Sequence, residues 1–169
     1  MMKMITRLVG VAGIVSLMAG TPAHAVSFGF TSGGLGASAD FSIVGGNLQV
    51  VLTNTGSGDV LIPIDVLTGV FFDVNGVGGL TPLSALLSGG SAVFFGPSNG
   101  GNVGGEWAYK SGLVGAPAGT EGISSSGLGL FGPGDRFSTA ALDNLQGPDD
   151  PNGLQYGITS AGDNTANGN

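Results

Sequence analysis

The 169-residue sequence has no cysteine, a single histidine (His24), and only four lysines and arginines. Each scarcity closes off chemistry. Without cysteine there are no disulfides, no thiol nucleophile and no thiolate metal site. The four basic residues, Lys3, Arg7, Lys110 and Arg136, are too few and too scattered for the clustered phosphate contacts that hold nucleic acid or an anionic membrane surface. Long hydrophobic runs are missing as well: Leu8 to Gly20 is apolar and uncharged but only 13 residues long, short of the roughly 20 that cross a bilayer as a helix.

That short run has a different reading. Lys3 and Arg7 precede it, and Thr21-Pro22-Ala23-His24-Ala25 follows it, ending in Ala-x-Ala. Positive start, apolar middle and small-residue end are the three parts of a secretory signal peptide. Gly10, Gly13 and Gly20 and the lack of a polar face argue against a folded N-terminal helix. The expected cut falls after Ala25 and makes the protein secreted or surface-bound.

Removing residues 1–25 deepens the absences. His24 goes too, so a Ser-His-Asp or Cys-His mechanism and a histidine zinc site are all excluded. Lys110 and Arg136 remain against 11 acidic residues, a net charge of −9. The remaining 144 residues, 26–169, suit one domain with room for a real core.

Glycine is what the chain has in excess. With 35 glycines and 8 prolines, about a quarter of the chain, the composition reaches the range of low-complexity segments. There is no three-residue period, however, and β-branched and aromatic residues fill the gaps between glycines, which a disordered chain would lack. The clearest pattern is Ala37 to Thr55. Ala37, Ala39, Phe41 and Ile43 alternate with polar residues, and after Gly45-Gly46-Asn47 the alternation resumes at Leu48, Val50 and Leu52. Period two buries one face, and the glycines supply the positive φ of a tight turn, so a β-hairpin is predicted.

Asp65 to Val74 reads as a longer strand, apolar throughout and therefore central in a sheet. Ser91 to Phe95, Glu106 to Lys110 and Leu154 to Thr159 are shorter candidates, and Pro82 to Leu87 is the one candidate helical turn. Short strands separated by Gly, Pro, Ser and Asn clusters predict an all-β fold, an antiparallel β-sandwich of jelly-roll or Ig-like type with long glycine-rich loops.

Candidate sites are sparse. Gly-Glu-Trp-Ala-Tyr-Lys, residues 105–110, carries the only tryptophan. In a strand, Trp107 and Tyr109 share one face, while Glu106 and Lys110 lie on the other. Facing out, the rings would form a ligand-binding platform for a sugar; facing in, they would be a core centre, the commoner fate of tryptophan. Asp149 and Asp150, held between Pro148 and Pro151, form with Asn152 a candidate oxygen-ligand set for a structural calcium, the one cofactor under consideration. Asp73-Val74-Asn75-Gly76 is a fragment of a calcium loop. A glycoside hydrolase or lyase would need two carboxyls about 5–10 Å apart across a cleft. Glu106 and Glu121 are candidates for that role, but no spacing singles out a pair, and no catalytic residue is assigned.

Four stretches taken in order, Leu52 to Val74, Gly104 to Lys110, Ile123 to Phe137 and Asn144 to Asn164, resemble exosortase-dependent bacterial surface proteins of the PEP-CTERM type over nearly the whole mature chain. The resemblance implies export by a Gram-negative bacterium that makes exopolysaccharide and a place at the cell surface or in the extracellular matrix. Extracellular polysaccharide is then the expected neighbour. That family ends in a Pro-Glu-Pro motif, an apolar span and an arginine-rich cluster, whereas this sequence stops at Asp-Asn-Thr-Ala-Asn-Gly-Asn. The expectation is a C-terminally truncated chain whose membrane contact would lie in the missing tail. The sequence leaves oligomeric state undetermined.

Overall fold

The predicted hairpin forms because two glycines turn it. The computed structural model describes residues 25–76, 78–94, 99–127, 129–131, 137 and 156–167. Strands β2 (Leu35–Val44) and β3 (Asn47–Asn54) are antiparallel, with Val44 opposite Asn47. Gly45 and Gly46 therefore make up the whole turn, at φ of 58° and 83°, the left-handed pair that matches strand twist in a two-residue hairpin. Asn47, expected in the link, is the first residue of the strand. The same device recurs upstream, where Gly33 and Gly34 (φ 58° and 91°) join β1 (Val26–Ser32) to β2. The first sheet thus has the order β1-β2-β3.

Directly paired residues share a face of a sheet, so the registers define apolar rows: Val26–Phe41–Val50 and Phe28–Ala39–Leu52. Leu52, at the β3 end, packs against the core, and Ala39 in the middle is buried. At the β1 end the row emerges into solvent, since every residue of β1 is exposed.

A second antiparallel sheet is built from β4 (Gly69–Phe72), β5 (Ala108–Lys110) and β6 (Glu121–Ser124) in the order β4-β6-β5. The two sheets meet where Phe41 and Phe72 pack edge-on with centroids 5.1 Å apart. Val103 and Trp107 anchor the core, with Leu52, Ala85, Leu87, Val93, Ile123, Phe137, Tyr156 and Ile158 packed around them. At the centre of the second sheet stands Gly122, opposite both Phe71 and Lys110. A Cβ there would lie 2.7 Å from Leu113 Cδ1 and 2.9 Å from Phe131 Cζ; only glycine lets those side chains close over the strand.

Several predicted elements come out differently. Asp65 to Val74 is not one central strand. Residues Pro63–Asp65 form a 3-10 turn, with Asp65 Oδ2 accepting from the Leu61 and Ile62 amides at 3.2 and 3.3 Å. Leu67 makes an isolated bridge to Ile158, and only Gly69–Phe72 enters a sheet, at its edge. The strand ends where Asp73 Oδ1 accepts from the Thr120 amide at 2.9 Å and its hydroxyl at 3.0 Å.

Pro82 to Leu87 is not helical but irregular, with one isolated bridge from Leu86 to Asn102. Its backbone finds partners across the chain, the Leu87 amide donating to Gly101 O at 2.8 Å and the Val103 amide to Ala85 O at 3.0 Å, whereas a six-residue helix would leave most of its end groups unmet. Residues 91–94 are irregular, Phe95 lies outside the described residues, and so do Leu154 and Gln155 of the last candidate strand, which contributes the single bridge at Ile158. The protein is mostly β, with two small antiparallel sheets of three strands and no α-helix among the described residues.

Candidate functional site

The Gly-Glu-Trp-Ala-Tyr-Lys segment enters its strand late, because the Glu106 and Trp107 amides both donate to Val103 O, at 3.1 and 3.2 Å. Gly104 N donates to Asn102 Oδ1 at 2.9 Å, tightening the same corner. The turn cancels the simple alternation expected of a strand from 106 to 110, and Glu106 is drawn inside along with the aromatics.

Trp107 and Tyr109 are 6% and 5% exposed. Trp107 Nε1 donates to Tyr156 O at 3.1 Å, so the indole's polar edge is satisfied while its body fills the core. The Tyr109 hydroxyl accepts from the Leu80 amide at 3.0 Å and donates to Glu121 Oε2. A sugar platform requires ring faces open to solvent, and neither ring offers one. Both residues instead tie sheet to loop: Tyr109 joins β5 to β6 and to Leu80, and Trp107 joins the 103–107 corner to the C-terminal segment.

Burial also explains the electrostatics. Desolvation, with Glu121's carboxyl adding to it, raises Tyr109 above the ordinary 10.0. Tyr156 is raised by desolvation first and by the nearby negative charge of Glu106 second. Glu106 is 3% exposed and Glu121 is also buried. The two glutamates are thus associated with different tyrosines, in a packed interior rather than across a cleft. Sequence reasoning placed Glu106 with Lys110 on the face opposite the aromatics; the turn at Val103 moves it inward beside them.

Asp149, Asp150 and Asn152 lie outside the described residues. Asp73, in the calcium-loop fragment, directs its Oδ1 to Thr120. Among the described residues no group of three or more His, Cys, Asp or Glu side chains could hold a metal, and no helix is long and apolar enough to cross a membrane.

A second polar region, unforeseen from the sequence, joins the end of the first sheet to the C-terminal segment. Asn54 Nδ2 donates to Asp65 O at 2.9 Å and Ile158 O at 3.0 Å. Val60 N donates to Asp163 Oδ1 at 3.1 Å, and Asn164 N to Asp59 Oδ1 at 2.7 Å. A small open cavity of 160 Å³ lies beside it, lined by Gly34, Asn54, Asp59, Asp65 and Ser160 among others. The Asn164 amide, followed by the Asn167 side chain, holds Asp59 below the ordinary aspartate value of 3.8. These asparagines and aspartates serve as clasps between chain segments.

No family model, curated protein or solved structure matches this chain.

Proposed function

We propose that this is an exported, non-enzymatic protein of a Gram-negative cell surface or extracellular matrix, sorted in its full-length form by exosortase. Its two sheets serve as the layers of a β-sandwich that touch through Phe41 and Phe72. The observation that carries the non-enzymatic part is the burial of the aromatic and acidic corner: Trp107, Tyr109, Glu106 and Glu121 are all inside, where they join segments and offer no open face to a substrate. For the exported part, the support is that β1 begins at Val26, the first residue after the Ala-x-Ala sequence. An excess of acidic residues keeps such a protein soluble beside anionic polysaccharide without binding it by charge.

Fractionation of the native cells tests the exported half. Protein recovered outside the cytoplasm should have Val26 as its N-terminus by mass spectrometry; recovery in the cytosol with Met1 in place would end the export reading. Trp107 fluorescence should be blue and unmoved by added polysaccharides. A red emission that shifts with a glycan would replace the structural role of the corner by carbohydrate binding.

A further inference from the structure

The two edges of the first sheet are unlike. At the β3 edge, Asn54 reaches Asp65 and Ile158, and Leu52 enters the core. At the other, all seven residues of β1 are exposed, with Phe28 and Phe30 at 62% and 59%. Edge strands of soluble proteins are ordinarily protected by a charge, a proline, a bulge or a covering element. Val-Ser-Phe-Gly-Phe-Thr-Ser contains no charge and no proline, and its seven residues pair with β2 without interruption, Val26↔Phe41 to Ser32↔Leu35, so there is no bulge either.

We propose that β1 is a self-association edge, pairing antiparallel with β1 of a second copy to fuse two three-stranded sheets into one of six. The strand is self-complementary. A two-fold axis at Phe28 sets Phe28 against Phe28 and Val26 against Phe30; an axis at Gly29 sets Phe28 against Phe30. In either register even-numbered residues oppose even-numbered ones, so the apolar faces of both copies stay on one side. The row Phe28–Ala39–Leu52 then continues across the dimer axis. Charge favours this site over others on so acidic a chain. The one acid in the three strands of this sheet is Asp40, opposite Ser27 and accepting from its hydroxyl, on the face away from the phenylalanines.

The size of the contact fixes its strength. With a phenylalanine offering on the order of 200 Å² of surface, Phe28 and Phe30 leave roughly 250 Å² open per copy. With Val26 and the backbone edge, two copies would bury on the order of 1,000 Å², which belongs to reversible rather than permanent interfaces. The pairing closes on itself as an isologous dimer, because the same edge is used by both partners. It stands whether or not the surface role proposed above is right.

The test uses the full chain, expressed with its own N-terminal segment and purified as it matures. Sedimentation from micromolar to millimolar concentration should show a monomer passing to a dimer and no larger species. Phe28→Lys should weaken association at least tenfold, and Val114→Lys, at a site 88% exposed and outside both sheets, should leave it unchanged. Since the chain has no cysteine, single cysteines report the register independently of any folding defect in Phe28→Lys. Opposed Cα atoms in an antiparallel pair are about 4.5–5.5 Å apart, within disulfide reach. Either Phe28→Cys or Gly29→Cys should therefore form a covalent dimer on mild oxidation, and Val114→Cys should not. Nothing lies within 4 Å of a Cβ at Gly29, so that variant carries no steric load. A wild-type monomer at every concentration, cross-linking no better at 28 or 29 than at 114, or species that keep growing beyond two copies would each overturn the proposal.

Discussion

The two sheets divide the work of folding unequally. The first is made of long strands joined by two-residue glycine turns, and its pairing is local, yet β1 is exposed throughout and Ala39 is the one buried apolar residue of its three strands. The second has strands of three or four residues drawn from positions 69–124, yet it adjoins the core at Trp107, Tyr109 and Ile123. Regular pattern and buried mass are in different places. A sheet can be specified by its turns while another supplies most of the cohesion.

That division predicts where damage is greatest. Trp107→Ala should cost the most, about 3–5 kcal/mol for a large buried aromatic. In a domain of this size, that lowers the melting temperature by on the order of 10 °C. A fall of only a degree or two would mean the core is centred elsewhere. Gly122→Val should come next, at about 2–3 kcal/mol from overpacking, since its side chain would press on Leu113 and Phe131.

Tyr109→Phe should cost about 1–2 kcal/mol, because it leaves the Leu80 amide and the Glu121 carboxyl without their shared partner. It also has a pH signature. With Tyr109 raised in the folded state, the unfolded chain ionises first as pH climbs. The stabilisation is intact below pH 10.0 and is lost as pH rises through the higher folded value. Denaturant titrations across the alkaline range should show a shallower loss in the variant, with Tyr156 accounting for what remains.

Gly45→Ala is the counterpart in the first sheet. Nothing crowds its Cβ, but its φ is +58°, so the cost is conformational and about 1 kcal/mol. Equal losses at Gly45 and Gly122 would erase the contrast between the sheets. Asp59→Asn should do least at neutral pH. Its signature is acid: Asp59 is lowered in the folded state, so its contribution is complete above the ordinary 3.8 and disappears as pH falls through the lower folded value. Thermal melts below pH 5 should decline less steeply in the variant than in the wild-type chain.

The same contrast explains what could be read in advance. The β2–β3 hairpin was legible because period-two alternation and Gly45-Gly46 both act within a few residues. The signals for β1 were equally local, Val26, Phe28 and Phe30 alternating ahead of Gly33-Gly34, so nothing physical hid that strand. Strand β6 was not legible. Glu-Gly-Ile-Ser is too short and too glycine-bearing to announce itself, and it is a strand because β4 and β5 flank it. Asp65 to Val74 misled because its apolar content said nothing of Asp65 capping a turn or Asp73 closing one with Thr120. At the aromatic corner, the burial of Trp107 and Tyr109 followed from their chemistry. The inward place of Glu106 depends on the Val103 carbonyl; Asn102 and Gly104-Gly105 signal a turn there, but not which way the following side chain faces.

One clasp has a consequence in time. Asn54 is completed by Ile158, and Val60 by Asp163, partners about a hundred positions further along. About a hundred further residues must be synthesised before these early groups find their counterparts, and such distant closures slow folding. The first sheet, whose own strand pairing is local, therefore waits unclasped until that distant segment has been made.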